Sequence, residues 1–370
     1  MTLNEEIDLR RREIRTDGYS MSIGEWISLY EKGELDIHPE FQRFYRWSET
    51  QKTNLIESIL LGIPVPPIFV SQRQDGVWDV VDGLQRLSTI FQLLGILKDE
   101  KNKLVEPLVL RATKYLPSLD GLRWDNAKQP KNALPPEAQL SLKRSKIAVS
   151  IILKESDENA KYDLFQRLNT GGSELSPQEV RNCLLVMVNK RMYEWLRTLS
   201  QFESFKDVTA LSDRPLEEAY DIEVVLRFMV LHSLSDKDLK TIGDVGIFLT
   251  ERMMELARNK TFSYKLNEKV FKDTFDILAA SVGDGAFKRF NITKKRHEGG
   301  FLLSQFEVVG LGVGYNVRNN TLTKPGGISK KIQSIWSDSN YTDWAGSGIT
   351  ASRRLPRLAP LGRNLFKAVG

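Results

Sequence analysis

Val80-Val81-Asp82-Gly83-Leu84-Gln85-Arg86-Leu87 is the stretch on which the fold of the N-terminal half turns. Valines suited to a strand run into Asp-Gly, and Leu87, Ile90, Phe91, Leu94 and Leu97 then follow at helical spacing. The reading is strand, tight turn, helix, with the helix running to about Lys98. Immediately upstream, Ile68–Ser71 and Val77–Val81 flank Gln74-Asp75-Gly76 and read as a β-hairpin. Pro64, Pro66 and Pro67 forbid helix before it. Ser48–Leu61 is an expected helix, with Ser48 and Glu49 as start residues, Leu55, Ile56, Ile59 and Leu60 as its apolar stripe, and Gly62 as its stop. Glu106–Leu110 and Lys146–Leu153 are expected as further strands, with a long loop at Asp120–Pro136 between them.

Outward from this centre the pattern changes. The first 35 residues read as helical and polar, closing on an amphipathic stretch, Ser22–Tyr30, with Ser22 and Glu25 as a capping box. A short extended piece, Leu35–His38, precedes Pro39. From 157 the chain reads as helix after helix. One helix at 157–169 is closed by Thr170-Gly171-Gly172, and Ser176-Pro177-Gln178-Glu179 opens the next. Others lie near 189–202, 216–234, 241–257 and 267–281, with more helix and loop after 300. The expected class is α+β: an N-terminal helical segment (1–35), a mixed domain (36–156), and a helical domain with a basic tail (157–370).

Composition narrows the function. With 370 residues, 41% hydrophobic and 27% charged, the chain has the make-up of a folded protein of about two domains. A single cysteine, Cys183, leaves no intrachain disulfide and no cysteine-cluster metal site. No signal-like N-terminus and no long apolar run occur, so a reducing cytoplasm is expected and a membrane is not. The 53 Lys and Arg exceed the 48 Asp and Glu by five. The densest basic groups, Arg10–Arg12, Lys294–Arg296 and Arg353–Arg357, read as solvated faces, and charge alone names no partner.

Three segments place polar groups where apolar pattern would otherwise continue. At Asp82-Gly83-Leu84-Gln85-Arg86, a helix start offers free backbone N–H groups and a dipole to an anion. Gly83 permits close approach, Arg86 can pair with phosphate, and Asp82 can hold a divalent cation or orient a water. The same residues also make an ordinary strand–helix junction. Phe41-Gln42-Arg43-Phe44-Tyr45-Arg46-Trp47 alternates arginine with aromatic rings, a pattern for stacking on bases or for a packed aromatic cluster. Phe165-Gln166-Arg167-Leu168-Asn169-Thr170-Gly171-Gly172 is a helix end, or a loop that closes over phosphates through Arg167, Asn169, Gly171 and Gly172. His38, His232 and His297 are scattered; His232 lies on an apolar helix and reads as structural.

Taken in order, Q-R-x-Y-x-W, then L-I-E-S-I-L-L-G-I-P-V-P-P-I, then V-D-G-L-Q-R-L-S-T-I, then F-Q-R-L-N-T-G-G resembles the DUF262 family, over about Ile37–Asn182. That family supplies the N-terminal domain of GmrSD-type and SspE-like defence proteins. The resemblance implies a ParB/sulfiredoxin-like domain that binds and hydrolyses a nucleoside triphosphate (ATP, GTP or CTP) with Mg²⁺ in bacterial defence. Its D-G-Q-Q-R motif falls on Asp82, Gly83, Gln85 and Arg86, with Asp82, Gln85 and Arg86 as catalytic residues and Asp82 at the metal. Its Q-R-x-Y-x-W motif falls on Gln42, Arg43, Tyr45 and Trp47. Leu84 stands where the family has its first Gln. No His-Me finger nuclease can be assembled from the three histidines, so a companion effector or nuclease protein is expected, with DNA as a further partner and oligomerisation left open. The rival readings are a non-enzymatic binding subunit (an antitoxin-like partner or modified-DNA reader) and a nuclease that uses the ParB-like pocket itself.

Overall fold

Ser22, Ser48 and Ser176 each stand directly before a helix, and each is followed three residues later by a residue that can answer it. In all three, the serine hydroxyl accepts from the backbone N–H of Glu25, Gln51 or Glu179, whose side chain accepts from the serine N–H in return. These reciprocal caps satisfy N–H groups that a helix start leaves free. The computed structural model describes residues 2–7, 15–37, 47–99, 101–125, 129–156, 176–346 and 348–368. Two compact units divide the chain, Met1–Leu175 and Ser176–Gly370. The boundary expected at 157 opens a stretch, 157–175, that lies outside the described residues, as does the helix expected there.

In the first unit, residues 3–7 are helical (α1). The order is then β1 (Thr16–Ser22), α2 (Ile23–Glu31), β2 (Leu35–Asp36), α3 (Glu49–Leu60), β3 (Ile68–Gln72), β4 (Trp78–Asp82), α4 (Leu84–Leu93), α5 (Pro136–Arg144) and β5 (Lys146–Ile152). The sheet runs β1-β5-β3-β4-β2, antiparallel at β1/β5 and β3/β4 and parallel at β3/β5 and β2/β4. Its core contains Trp26, Ile56, Ile68, Val70, Leu87, Ile90 and Phe91, all fully buried.

Three expectations are corrected in this unit. The first 35 residues are not wholly helical: β1 pairs along its length with β5, from Thr16↔Ile152 to Ser22↔Lys146, so this segment belongs to the sheet. The helix after Gly83 stops at Leu93 rather than Lys98. Gly95 takes φ 72°, and Gly95 and Ile96 donate back to Gln92 and Phe91 in a Schellman close. Glu106–Leu110 forms no strand because its polar groups are used elsewhere. Leu108 N–H donates to Gln92 O, Leu110 N–H to Leu122 O, and the Gln92 amide to Glu106 O. The loop ends at Pro136 as expected, and α5, which the sequence reading did not include, follows it.

The second unit is mainly helical. Its helices are α6 (Pro177–Ser200), α7 (Glu203–Thr209), α8 (Asp213–Glu217), α9 (Tyr220–Leu231), α10 (Asp236–Lys240), α11 (Val245–Arg258) and α12 (Tyr264–Val282), then α13 (Leu303–Arg318), α14 (Ile328–Ser334), α15 (Ser339–Ala345) and α16 (Ala351–Phe366). A small hairpin, β6 (Arg289–Asn291) with β7 (Arg296–Glu298), interrupts the helices, which the periodicity did not indicate. The helix start expected near 189 corresponds to a kink inside α6. Asn189 leaves helical geometry there, and its side chain accepts from Met192 N–H and donates to Ala257 O. No helix among the described residues is long and apolar enough to cross a membrane.

Candidate functional site

Asp82 closes β4 and Gly83 turns the chain into α4. Between β3 and β4 the register shifts: Val70 faces Val80, but Phe69 faces Asp82, leaving Val81 as the extra residue. This bulge sits directly before the carboxylate, and bulges re-aim the side chains beside them. Gly83 has φ 101° and ψ 9°. A Cβ there would lie 2.3 Å from Ile68 Cδ1 and 3.2 Å from Arg86 Nη2, so both conformation and space require glycine. As the residue before the helix, Gly83 supplies no side-chain cap. The positive end of the α4 dipole at this turn favours an anion.

Arg86, one turn into α4, folds back over this turn. Its Nη2 donates to Asp82 Oδ2 at 2.8 Å and to Pro67 O at 3.0 Å. Its Nε is buried with no hydrogen-bond partner. The Arg86 side chain is 14% exposed and that of Asp82 34%, so the pair is half-open to solvent at the carboxylate. Gln85 leaves the same turn, and its backbone carbonyl accepts from Thr89 Oγ1 at 2.7 Å. The chemistry available is a helix start at a glycine turn, a guanidinium with an unmet N–H, and a carboxylate. That combination suits an anion of the phosphate type, with Asp82 as the one protein oxygen donor for a cation held mainly by phosphate oxygens. Leu84 is half-buried against the core of the unit.

Of the residues named from sequence, Asp82, Gly83, Gln85 and Arg86 come together in this turn. Gln42, Arg43 and Tyr45 lie outside the described residues, as do Arg167, Asn169, Gly171 and Gly172. Trp47 is half-buried and packs on the same core as Leu84. Among the described residues no group of three or more His, Cys, Asp and Glu is placed to hold a metal. His232 is fully buried, its Nδ1 2.8 Å from Phe228 O, and burial pushes its pKa down to about 4. His297 lies on β7 with its ring against Gly285.

Sequence reasoning missed one polar feature of this unit. A cleft of about 600 Å³ opens beside β2, lined among others by Tyr30, Asp36, Arg73 and Lys98, and it does not include Asp82 or Arg86. Asp36 and Asp79 are register partners on β2 and β4, and Arg73 holds both, with Nη2 on Asp36 at 2.7 Å and Nε on Asp79 at 2.9 Å. Burial opposes the Arg73 charge, but its hydrogen bonds to Asp79 and Asp36 outweigh it and raise the pKa above the ordinary arginine value. Asp36 and Asp79 face each other only through the pairing of β2 with β4, so no signal along the sequence pointed to the clamp.

Residues 23–186 match the family described as GmrSD restriction endonuclease, N-terminal domain. The match spans β2 to β5 and the Asp82–Arg86 turn, and it ends inside α6. No curated protein and no solved structure matched the chain.

Proposed function

We propose that the first unit binds a nucleoside triphosphate at the β4–α4 turn, and that the chain is a nucleotide-dependent sensor or regulator in a restriction-type anti-phage system acting on or with DNA. The restriction-endonuclease family match supports the defence setting. The observation that carries the ligand is Arg86, a largely buried guanidinium with an unmet Nε beside a left-handed glycine turn. In this reading Arg86 and the positive end of the α4 dipole hold phosphate oxygens and Asp82 faces Mg²⁺. Gln85 completes the turn of a ParB/sulfiredoxin-like pocket. Gln42, Arg43, Tyr45, Arg167, Asn169, Gly171 and Gly172 are the further contacts that the resemblance implies. When bound, the metal would offset phosphate charge.

Leu84 favours a second reading, binding with little turnover. It stands where the family carries an amide, and it packs half-buried on the core. Thermal shift with ATP, GTP, CTP and UTP in the presence of Mg²⁺, followed by phosphate release, tests both. One nucleotide should raise Tm, and Arg86→Ala should weaken its binding by about 1–3 kcal/mol, the loss of a charge-assisted hydrogen bond. A folded Arg86→Ala protein with unchanged affinity overturns the site. Phosphate release faster in Leu84→Gln than in the wild type would show that the missing amide limits turnover.

A further inference from the structure

The positive surplus of the chain is confined to its end. Residues 286–370 carry 14 Lys and Arg against four Asp and Glu, whereas residues 1–285 carry 39 against 44. Some of these cations serve the fold. Arg354 forks onto buried Glu307 at 2.5 and 2.9 Å, and Arg363 donates to Asp236 at 2.6 Å. Lys331 donates to Leu365 O at 2.5 Å.

Others are displayed on the β6–β7 hairpin. Arg289, Lys294, Lys295 and Arg296 are exposed on a two-stranded ribbon, and Ile292 at its turn is 54% exposed. The one acidic residue of the ribbon, Glu298, accepts from Arg296 at 2.8 Å and Asn291 at 3.0 Å and pairs with Lys294 at 3.2 Å. These bonds hold its carboxyl down at about 2, so it stays ionised and offsets one of the four cations.

Aromatic rings stand beside two of the cations, Arg289 and Arg357. Arg289 lies 5.9 Å from the Trp336 ring, and Trp336 packs edge-on against Tyr341. One turn along α15, Trp344 carries Arg357 at 3.6 Å, and Arg353 is exposed one turn before it on α16. The nearby acids are few. Asp284 is held by Lys288 at 2.6 Å, Asp338 caps its own helix by accepting from Asn340 N–H, and Asp343 is exposed.

We propose that the hairpin 289–298, together with Arg353 and Arg357, is a contact surface for duplex DNA. The proposal rests on reading the chain as a protein that acts on DNA, and names where the DNA is held. A two-stranded ribbon has the width that a major groove admits, and its cations face regularly spaced phosphates. An apolar tip such as Ile292 suits contact with thymine methyl groups on the floor of that groove. An acidic protein would offer no such regular spacing.

The test is fluorescence anisotropy of the full chain with a short mixed-sequence duplex over a range of NaCl concentrations. The wild type should bind with a steep inverse salt dependence. The Lys294→Gln/Lys295→Gln/Arg296→Gln variant should bind about tenfold or more weakly, with a log–log salt slope shallower by about 3. Ile292→Ser should weaken binding with the slope unchanged. No salt-dependent duplex binding, or a triple variant with wild-type affinity and slope, overturns the proposal. So does equal preference for polyglutamate at matched charge. The nucleotide-induced Tm shift separates the two sites: it should be the same in the triple variant as in the wild type, and its absence in both removes the nucleotide reading and leaves the DNA surface standing.

Discussion

His232 stacks on Phe228 with ring centroids 4.7 Å apart and no exposure to solvent. Arg318 Nη1 stands 3.5 Å from its Nε2, so that nitrogen accepts while Nδ1–H donates to Phe228 O. Burial is the main cause of its low pKa. The positive charges of Arg318 and Arg363 push the same way, against the Phe228 carbonyl. The folded pKa, about 4, lies below the ordinary 6.5. Between these values the unfolded chain binds the proton and the folded one does not, so stability falls as pH drops through this window. The shift is worth on the order of 3 kcal/mol at its acid end. Urea unfolding at neutral and at mildly acidic pH should show this loss in the wild type and a smaller one in His232→Gln; equal acid losses in both would refute it. At Asp82–Arg86 the residue types were enough to locate a turn. The Pro67 carbonyl and the Ile68 side chain that fix it came from a different strand entry, which residue spacing does not reveal.

Helices α13 and α16 touch backbone to backbone. A Cβ on Gly362 would lie within 1.9 Å of Val308 O, and one on Gly312 within 2.5 Å of Gly362 C. Neither glycine has a left-handed backbone conformation, so it is proximity and not torsion that excludes a side chain. Gly362→Ala should therefore lower stability by about 1–3 kcal/mol through overpacking. Gly326→Ala, with nothing within 4 Å of the added atom, should stay within about 0.5 kcal/mol. Equal melting temperatures for the two variants would refute the close crossing. Nothing in the α16 sequence, which carries Pro356 and Pro360 inside the helix, announced this contact. Elements with capping boxes were legible because cap and helix are neighbours in the chain. Glu106–Leu110 was not, because the groups that claim its backbone lie on α4 and beyond.

The two units meet the family match at different residues: the second unit begins at Ser176, yet the match runs on to 186. The shared stretch is the start of α6, and it is anchored in the second unit by charge. Arg181 donates from Nη2 to Glu223 at 2.6 Å and from Nε to Gln178 Oε1 at 2.7 Å. Glu223 also receives Arg227 at 2.7 Å. The side chains are 4%, 11% and 11% exposed, so removing one partner leaves charge uncompensated in the interior. Arg181→Ala should cost about 3–5 kcal/mol, read as a lower urea midpoint of the full chain. A loss below about 1 kcal/mol would mean that solvent reaches the pair.

Local order along the chain determined much of this protein. Ser-x-x-Glu and Ser-x-x-Gln starts, the Asp75-Gly76 hairpin and the strand–Asp-Gly–helix turn rest on interactions between residues a few positions apart. Such interactions are written in the sequence itself. Tertiary structure alone decided the membership of Thr16–Ser22 in the sheet, the Arg73 clamp on Asp36 and Asp79, and the glycine crossing of α13 and α16. It also set Arg289 against Trp336 and Arg357 against Trp344. In each case the partners are distant in the chain. Their contact is set by which faces can be buried together, a property of the packed molecule that no single segment carries.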